Sequence, residues 1–110
     1  MYAGHRKLSN LIAVIDRNGF QQGSPIAKTN ELNPLDKKFA AFGWEVKVIN
    51  GHDYVALFEA FTAPQDKPRV VIAETVKGKG VDFMENRAEW HHKVPSDEQF
   101  AAALLQIGVK

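Results

Sequence analysis

The fold is decided by Leu11-Ile12-Ala13-Val14-Ile15-Asp16, a continuous run of mostly branched apolar residues that ends on a carboxylate. Such a run, with no polar residues alternating along it, predicts a strand buried on both faces of a parallel sheet. Val70-Val71-Ile72-Ala73 is a second run of this kind and predicts a second central strand. Apolar and charged residues alternate over residues 44–48, which predicts a strand near the sheet edge with one wetter face.

Three segments with helical spacing of apolar residues follow these strands. Asn33 is the predicted N-cap of the first helix, and Asp53 is that of the second. Ser96 and Gln99 fit a capping box at the start of the third helix. Alternating strands and helices predict right-handed βαβ units. The expected class is therefore α/β, a three-layer αβα parallel sheet of about three strands and three main helices.

The length of 110 residues allows one domain, so residues 1–110 are interpreted as a single segment. Residues 1–9 resemble the tail of a helix, because basic side chains crowd a final turn that has no cap before it. Two strands buried on both faces need neighbours on both sides. We therefore expect the segment to be part of a larger domain.

The composition excludes several classes of function. Lys and Arg number 14 against 13 Asp and Glu, and this near-neutral charge disfavours binding to nucleic acid or to an anionic membrane. The chain has no Cys, which excludes disulfides, thiolate metal sites and a cysteine nucleophile. No apolar run reaches the roughly 18 residues of a membrane span, and no leader pattern opens the chain. The expected location is cytoplasmic.

Ligands of open parallel sheets bind beyond the carboxyl ends of the strands, so the residues that follow each strand are candidates for chemistry. Asp16 and Asn18 follow the first strand, and the favoured interpretation of this pair alone is a turn held by side-chain-to-backbone hydrogen bonds. Lys77-Gly78-Lys79-Gly80 follows the second central strand and could hold phosphate or form a solvated loop.

Two histidines, His91 and His92, follow Trp90 in a polar stretch. Adjacent side chains do not face one way on a helix or strand, so a metal-binding pair is not expected. One of the two could instead hydrogen-bond a substrate or a diphosphate. His52, beside a predicted N-cap, is interpreted as structural.

Five segments together resemble the transketolases, and most closely the two-gene kind, whose amino-terminal half is a separate polypeptide. They occur in the family's order over nearly the whole chain. The segments are KLSNLIAVIDRNG (7–19), AFGWEV (41–46), NGHD (50–53), TVKGKGV (75–81) and FMEN (83–86), the last followed by Trp90-His91.

The resemblance implies the second half of a domain that binds thiamine diphosphate through its diphosphate and Mg²⁺. In family terms Asn18 would give its amide oxygen to Mg²⁺, and Phe20 would give its backbone carbonyl. Oxygen donors of this kind suit Mg²⁺. Gln22 matches a position that borders the cofactor in some members, and Lys77 matches a loop residue near the cofactor rings.

The resemblance also implies roles on the substrate side. His91 matches the histidine that lines the substrate channel near the diphosphate, which makes it the candidate catalytic residue. Lys93 lies where some members place another active-site lysine. The residue after the family's histidine is usually glycine, whereas this chain has His92, which could re-aim the loop.

Three parts of the family's site are absent from these 110 residues: the Gly-Asp-Gly turn with its metal aspartate, the upstream histidines, and the glutamate that activates the cofactor. We therefore expect that the chain alone does not turn over substrate and binds thiamine diphosphate weakly or not at all. The expected partners are a complementary transketolase subunit or segment and sugar phosphates, in a homo- or hetero-oligomer.

Three functions remain open. The leading one is part of a transketolase-like enzyme that moves a two-carbon ketol unit between sugar phosphates in carbohydrate metabolism. The second keeps thiamine diphosphate but changes the donor, since related branches act on other sugars or sulfonates. The third is a non-catalytic truncated or assembly module that pairs with a complementary subunit.

Overall fold

A computed structural model describes residues 1–21 and 24–108. The chain forms two compact units, one of Met1–Arg17 and Glu31–Thr75 and the other of Asn18–Asn30 and Val76–Lys110. In chain order the elements are α1 (Tyr2–His5), β1 (Ile12–Arg17), β2 (Phe20–Gln21), β3 (Ser24–Pro25), α2 (Ile26–Thr29), α3 (Leu35–Ala41), β4 (Glu45–Asn50), α4 (Tyr54–Thr62), β5 (Arg69–Glu74), a 3₁₀ helix (Ala88–His91) and α5 (Asp97–Gln106).

The first unit contains a parallel sheet with the strand order β1-β5-β4. The three strands are paired in register along their whole length. Ile12 and Glu45 are the partners of Arg69 at the start, and Arg17 and Asn50 are the partners of Glu74 at the end. Helices α3 and α4 pack against β4. The predicted α/β class with a parallel three-stranded sheet is therefore confirmed, and α3, α4 and α5 are its three main helices.

Strand β5 is the centre of the core, as its apolar run predicts. Val70, Val71 and Ile72 are completely buried. Strand β4 lies at a sheet edge, as predicted. The prediction that its charged face is the wetter one is wrong, because Glu45 and Lys47 are half-buried whereas Val48, on the apolar face, is 50% exposed.

The prediction that residues 11–15 are buried on both faces is wrong. Strand β1 is at the other edge of the sheet, and Val14 is 54% exposed. Within the described residues only β5 pairs with β1, so the branched run has a neighbour on one side alone.

Local signals place two of the three helix starts correctly. The Asp53 carboxylate accepts hydrogen bonds from the backbone of Val55 at 2.9 Å and of Ala56 at 3.2 Å, which caps α4. Ser96 and Gln99 form the predicted capping box of α5. A side chain that satisfies the free N–H groups of the first turn stabilises a helix.

The predicted cap of α3 is wrong. Pro34 occupies the N-cap position of α3, and no side chain caps the helix. The Asn33 side-chain oxygen accepts a hydrogen bond from the Arg17 guanidinium instead. A charged donor forms a stronger bond than a neutral backbone N–H, and this explains why Asn33 turns away from the helix.

The amino-terminal helix is present as α1, and it lies against the end of α3. A Cβ atom built on Gly4 would stand 1.8 Å from the carbonyl oxygen of Phe42, so only glycine permits this approach. The interpretation of residues 1–9 as the remnant of a longer helix stays a prediction. No helix in the described part of the chain is long and apolar enough to cross a membrane.

In the second unit, α5 is tied to the loop that precedes it. The Asp82 backbone N–H donates to the side-chain oxygen of Gln106 at 2.8 Å, and the Gln106 amide donates back to the Asp82 carboxylate at 2.9 Å. Such a reciprocal pair fixes the carboxyl-terminal end of α5 on this loop.

Candidate functional site

In the first unit, polar side chains connect the carboxyl-terminal ends of the strands. The Arg17 guanidinium donates to the Glu74 carboxylate, with Nη1 and Oε1 3.3 Å apart. The Thr75 hydroxyl donates to the Asp16 carboxylate, which links the ends of β1 and β5. Asp16 therefore makes a structural contact between two strands, and not the side-chain-to-backbone turn contact that the sequence predicts for it.

The turn after β4 packs directly against the end of β5. The backbone N–H of Gly51 donates to the Glu74 carbonyl at 2.8 Å, and a Cβ on Gly51 would stand 2.5 Å from the Thr75 methyl carbon. The Asn50 side chain accepts from the backbone N–H of His52 at 3.0 Å. This turn has a packing role in the fold.

Asn18 and Phe20 form one tight turn at the start of the second unit. The Asn18 Oδ1 atom accepts a hydrogen bond from the backbone N–H of Phe20 at 3.0 Å, and both residues are half-buried. Gly19 between them has a φ of +80°, a backbone conformation that favours glycine. Its carbonyl accepts from the backbone N–H of Ile26 at 3.0 Å, which fixes the turn from the other side.

The two oxygens of this turn have the chemistry of magnesium ligands. Each amide or carbonyl oxygen has two lone pairs, so Asn18 Oδ1 keeps one after accepting the N–H of Phe20. Two neutral oxygens fit Mg²⁺, which takes about six oxygen ligands and is usually held by carboxylates and substrate phosphates as well. The described residues contain no cluster of three or more His, Cys, Asp or Glu side chains that could hold a metal ion. The donor set therefore fits the ion as a partial shell that a diphosphate must extend.

The basic turn is closed by an internal carboxylate. Glu85 Oε1 accepts the backbone N–H of Gly80 at 3.0 Å and lies 3.7 Å from the Lys79 ammonium. The backbone N–H of Asn86 donates to the Lys77 carbonyl at 2.9 Å. Of the two interpretations of this turn, phosphate cradle or solvated loop, the geometry therefore favours a turn organised by its own chain.

The segment that carries His91 is anchored by the tryptophan before it. The Trp90 indole N–H donates to the Phe83 carbonyl at 2.9 Å, and the two rings are in contact with centroids 5.6 Å apart. The Lys93 ammonium lies 4.5 Å from the centre of the Trp90 ring, which is a cation–π contact. His91 is exposed, and its ring meets that of His92 edge-on at 4.4 Å.

The two histidine rings are thus in edge-on contact on the same side of the chain, unlike adjacent side chains of a regular helix or strand. They can do so because His92 follows the end of the short 3₁₀ helix, with φ of −123° and ψ of −6°. Adjacent rings in contact could form one exposed polar surface near Trp90.

The structure distributes the sequence-predicted site residues as follows. Gln22 lies outside the described residues. The others all belong to the second unit. They lie in three segments, and within residues 1–21 and 24–108 no hydrogen bond, ion pair or ring contact joins one of these segments to another. These residues are Asn18 and Phe20 in the first segment, Lys77 in the second, and His91 and Lys93 in the third.

Sequence reasoning missed two residues that organise these segments. Glu85 closes the basic turn, and its only sequence signal is an acid five residues after Gly80. Trp90 anchors its segment through an indole N–H bond, and a buried tryptophan usually finds such a partner.

A parallel sheet with helices packed against it and polar turns after its strands is an open α/β domain, a class whose ligands bind beyond the carboxyl ends of the strands. The thiamine diphosphate binding domain of the transketolases matches residues 1–110. The chain therefore belongs to the transketolase family.

Individual relatives agree with this assignment. The chain is 37% identical over 110 residues to one subunit of the apulose-4-phosphate transketolase of Phocaeicola vulgatus, a match that covers 97% of this chain and 39% of the relative. It is 36% identical over 110 residues to a 6-deoxy-6-sulfo-D-fructose transketolase subunit of a Clostridium species, covering 97% of this chain and 40% of that subunit. The chain thus spans about two fifths of the length of these relatives.

A solved structure shows the same fold. The crystal structure of transketolase from Campylobacter jejuni superposes with a TM-score of 0.82 at 32% identity, covering 97% of this chain and 17% of that one. The family resemblance inferred from the sequence motifs is therefore confirmed. The chain matches the transketolase-type thiamine diphosphate binding domain, and its relatives include transketolase subunits.

Proposed function

We propose that this chain is part of an enzyme that transfers a two-carbon ketol unit from a ketose phosphate to an aldose acceptor. The single observation that supports the proposal best is the Asn18–Phe20 turn. In one turn it carries two oxygen donors of the kind that Mg²⁺ binds, in a chain that matches a thiamine diphosphate binding domain. Thiamine diphosphate, when bound, supplies the chemistry that breaks and forms the carbon–carbon bond.

In this proposal the chain's own residues bind and orient. Asn18 Oδ1 and the Phe20 carbonyl hold Mg²⁺ and with it the diphosphate, while Gln22 and Lys77 border the cofactor. The exposed imidazole of His91 donates or accepts a hydrogen bond at the substrate, which makes it the proposed catalytic side chain. Lys93, an exposed ammonium beside Trp90, pairs with a phosphate of the sugar.

We propose that a complementary polypeptide completes the site. Asn18 and Phe20 are neutral ligands, and Mg²⁺ in proteins is usually bound through carboxylates and phosphates. The 110 residues by themselves are therefore expected to bind the metal and cofactor weakly and to be inactive. Two of the relatives are subunits of transketolases, which supports a subunit of complementary sequence as the partner.

Reconstitution tests this function. The chain is mixed with a complementary upstream segment and the partner half, together with Mg²⁺ and thiamine diphosphate, and ketol transfer is assayed. Activity that is lost with Asn18→Ala supports the proposal. Asn30→Ala serves as a matched control, because Asn30 is an exposed asparagine of the same unit. Equal loss with both variants, or no transfer at all, would count against the enzyme.

The donor is a separate question within the same proposal. The names of two relatives contain apulose 4-phosphate and 6-deoxy-6-sulfo-D-fructose, so branched and sulfonated sugars belong in the donor panel. A ketose phosphate as the best donor supports the leading proposal, and a sulfonate as the best donor supports the second.

A non-catalytic assembly module is the alternative from another class. Its support is the outer face of α4, where Tyr54 is 87% exposed, Val55 66% and Phe58 68%. An apolar helix face of this kind is typical of a surface that a partner covers. Association with the partner half without ketol transfer would favour this alternative.

A further inference from the structure

The turn 77–80 carries two lysines and two glycines, a composition suited to binding an anion, yet a carboxylate of the same chain already fills it. Glu85 Oε1 accepts the Gly80 N–H at 3.0 Å and faces the Lys79 ammonium at 3.7 Å. A backbone N–H and an ammonium that converge on one oxygen are the donors that a bound phosphate would use. Glu85 therefore stands where an external anion would stand.

The backbone is built to hold Glu85 in this position. Gly78 and Gly80 have φ of +73° and +95°, and a Cβ on Gly78 would stand 2.6 Å from the Met84 carbonyl oxygen. The turn thus lies directly on the residues around Glu85. Asn86, also at a positive φ of +54°, closes the arrangement by donating its N–H to the Lys77 carbonyl at 2.9 Å.

The same contact distinguishes the two lysines of the turn. Lys79 is paired with Glu85, whereas Lys77 is half-buried and has no carboxylate within 4.0 Å in the described part of the chain. A paired ammonium gains less from a second anion, because its charge is already partly neutralised. Lys77 is therefore the lysine of this turn without a carboxylate partner among the described residues.

We infer that Glu85 is an internal anion that closes the Lys77–Gly80 turn to phosphate, so that Gly80 and Lys79 do not contact the diphosphate. Glu85 acts as a positioning residue: it fixes the turn and withdraws Lys79, which leaves Lys77 as the turn's only contribution to an anionic ligand. The role of Lys77 toward the cofactor rests on the proposed function, but the closure by Glu85 does not.

The experiment titrates the full ¹⁵N-labelled chain with inorganic pyrophosphate. The amide resonance of Gly80 reports binding at the turn. In the wild type we expect no saturable shift of the Gly80 amide. In Glu85→Ala the amide should shift saturably, with an affinity about tenfold or more above the upper limit set by the unshifted wild type, as expected when an N–H and an ammonium donate to one anion. The double variant Glu85→Ala/Lys79→Met should lose this gain, and Glu85→Ala/Lys77→Met should keep the Gly80 shift.

A second variant keeps the test decisive if Glu85→Ala does not fold. Glu85→Gln retains an oxygen for the Gly80 N–H but removes the charge, so the Gly80 amide should stay unshifted while the side-chain signals of Lys79 respond to pyrophosphate. A Gly80 shift in the wild type equal to that in Glu85→Ala would overturn the inference. So would a Lys79 signal in Glu85→Gln that behaves as in the wild type. Neither readout depends on thiamine diphosphate, so a failure here is distinct from a failure of the proposed function.

Discussion

The amide oxygen of Asn18 accepts the backbone N–H of Phe20 at 3.0 Å, so this side chain forms a turn with the residue whose carbonyl is the second proposed metal ligand. The turn-forming and metal-binding interpretations of Asn18 are therefore compatible. The hydrogen bond orients the amide, and the second lone pair of Oδ1 is available for a cation.

The turn leads to a prediction about Asn18→Asp and Asn18→Ala. Aspartate keeps the acceptor for the Phe20 N–H and adds the negative charge that Mg²⁺ prefers in its ligands. In the reconstituted assembly, Asn18→Asp should retain Mg²⁺ binding. Asn18→Ala should weaken it by about tenfold or more, in the range seen when a metal site loses a supporting contact. The measurement is the Mg²⁺ dependence of thiamine diphosphate binding by calorimetry. Equal affinity of the alanine variant and the wild type would remove Asn18 from the metal site.

The buried Arg69 gives a second prediction. Its guanidinium donates to the carbonyls of Ala60, Ala63 and Pro64 at 2.8 Å each, and to Glu45 Oε2 at 3.0 Å. Arg69→Met leaves these acceptors without a donor, which should lower the free energy of unfolding by about 3–5 kcal/mol.

Lysine at this position should recover part of the loss, because an ammonium has three donors for four acceptors. The matched control is Arg87→Met, since Arg87 has a side chain 56% exposed and its ion pair with Glu89 is long, at 3.9 Å. This control should change stability by less than about 0.5 kcal/mol. Urea denaturation of the three variants gives the measurement, and equal losses for Arg69→Met and Arg87→Met would contradict the prediction.

Glu45 gives a prediction about pH. Partial burial raises the pKa of the Glu45 carboxyl, but hydrogen bonds and charge from Arg69 and Lys47 outweigh this, so the pKa lies below its ordinary value. Such a group stabilises the fold above its unfolded pKa of about 4.3, and the contribution is lost as the pH falls through the lower folded value.

Glu45→Gln should therefore cost stability at pH 7, by about 1–3 kcal/mol for a charged hydrogen bond. The difference between the wild type and the variant should shrink below about pH 4, because protonation removes the same charge. Chemical denaturation from pH 7 to pH 3 measures it. A difference that stays constant over this range would show that the charge of Glu45 does not contribute.

The sequence predicts those elements whose determinants are local. The apolar run of β5 lies in the core, and the caps at Asp53 and Ser96 reach only two or three residues along the chain. The Asn18 turn is local in the same sense.

Determinants that are distant in sequence are the ones that sequence reasoning misses. Asn33 does not cap α3 because Arg17, 16 residues away, takes its oxygen. Arg69 forms an ion pair with Glu45, which is 24 residues away, and no periodicity in the sequence indicates this contact. The exposure of Val14 depends on which strands flank β1, and an apolar run alone does not contain that information.

The contact between α1 and the end of α3 gives the last prediction. A Cβ on Gly4 would stand 1.8 Å from the Phe42 carbonyl oxygen, and this oxygen belongs to the backbone, which cannot move aside like a flexible side chain. Gly4→Ala should therefore displace α1 and lower stability, by about 1–3 kcal/mol as for other overpacked sites. The matched control is Gly108→Ala, because Gly108 has a φ of +76° but no atom within 4 Å of a built Cβ. This control adds a methyl group without a clash and should cost only the strain of the left-handed backbone, about 1–2 kcal/mol, with no effect on α1. Thermal unfolding compares the two, and hydrogen exchange of the α1 amides should rise in Gly4→Ala alone; unchanged protection of α1 would mean that this contact does not hold the helix in place.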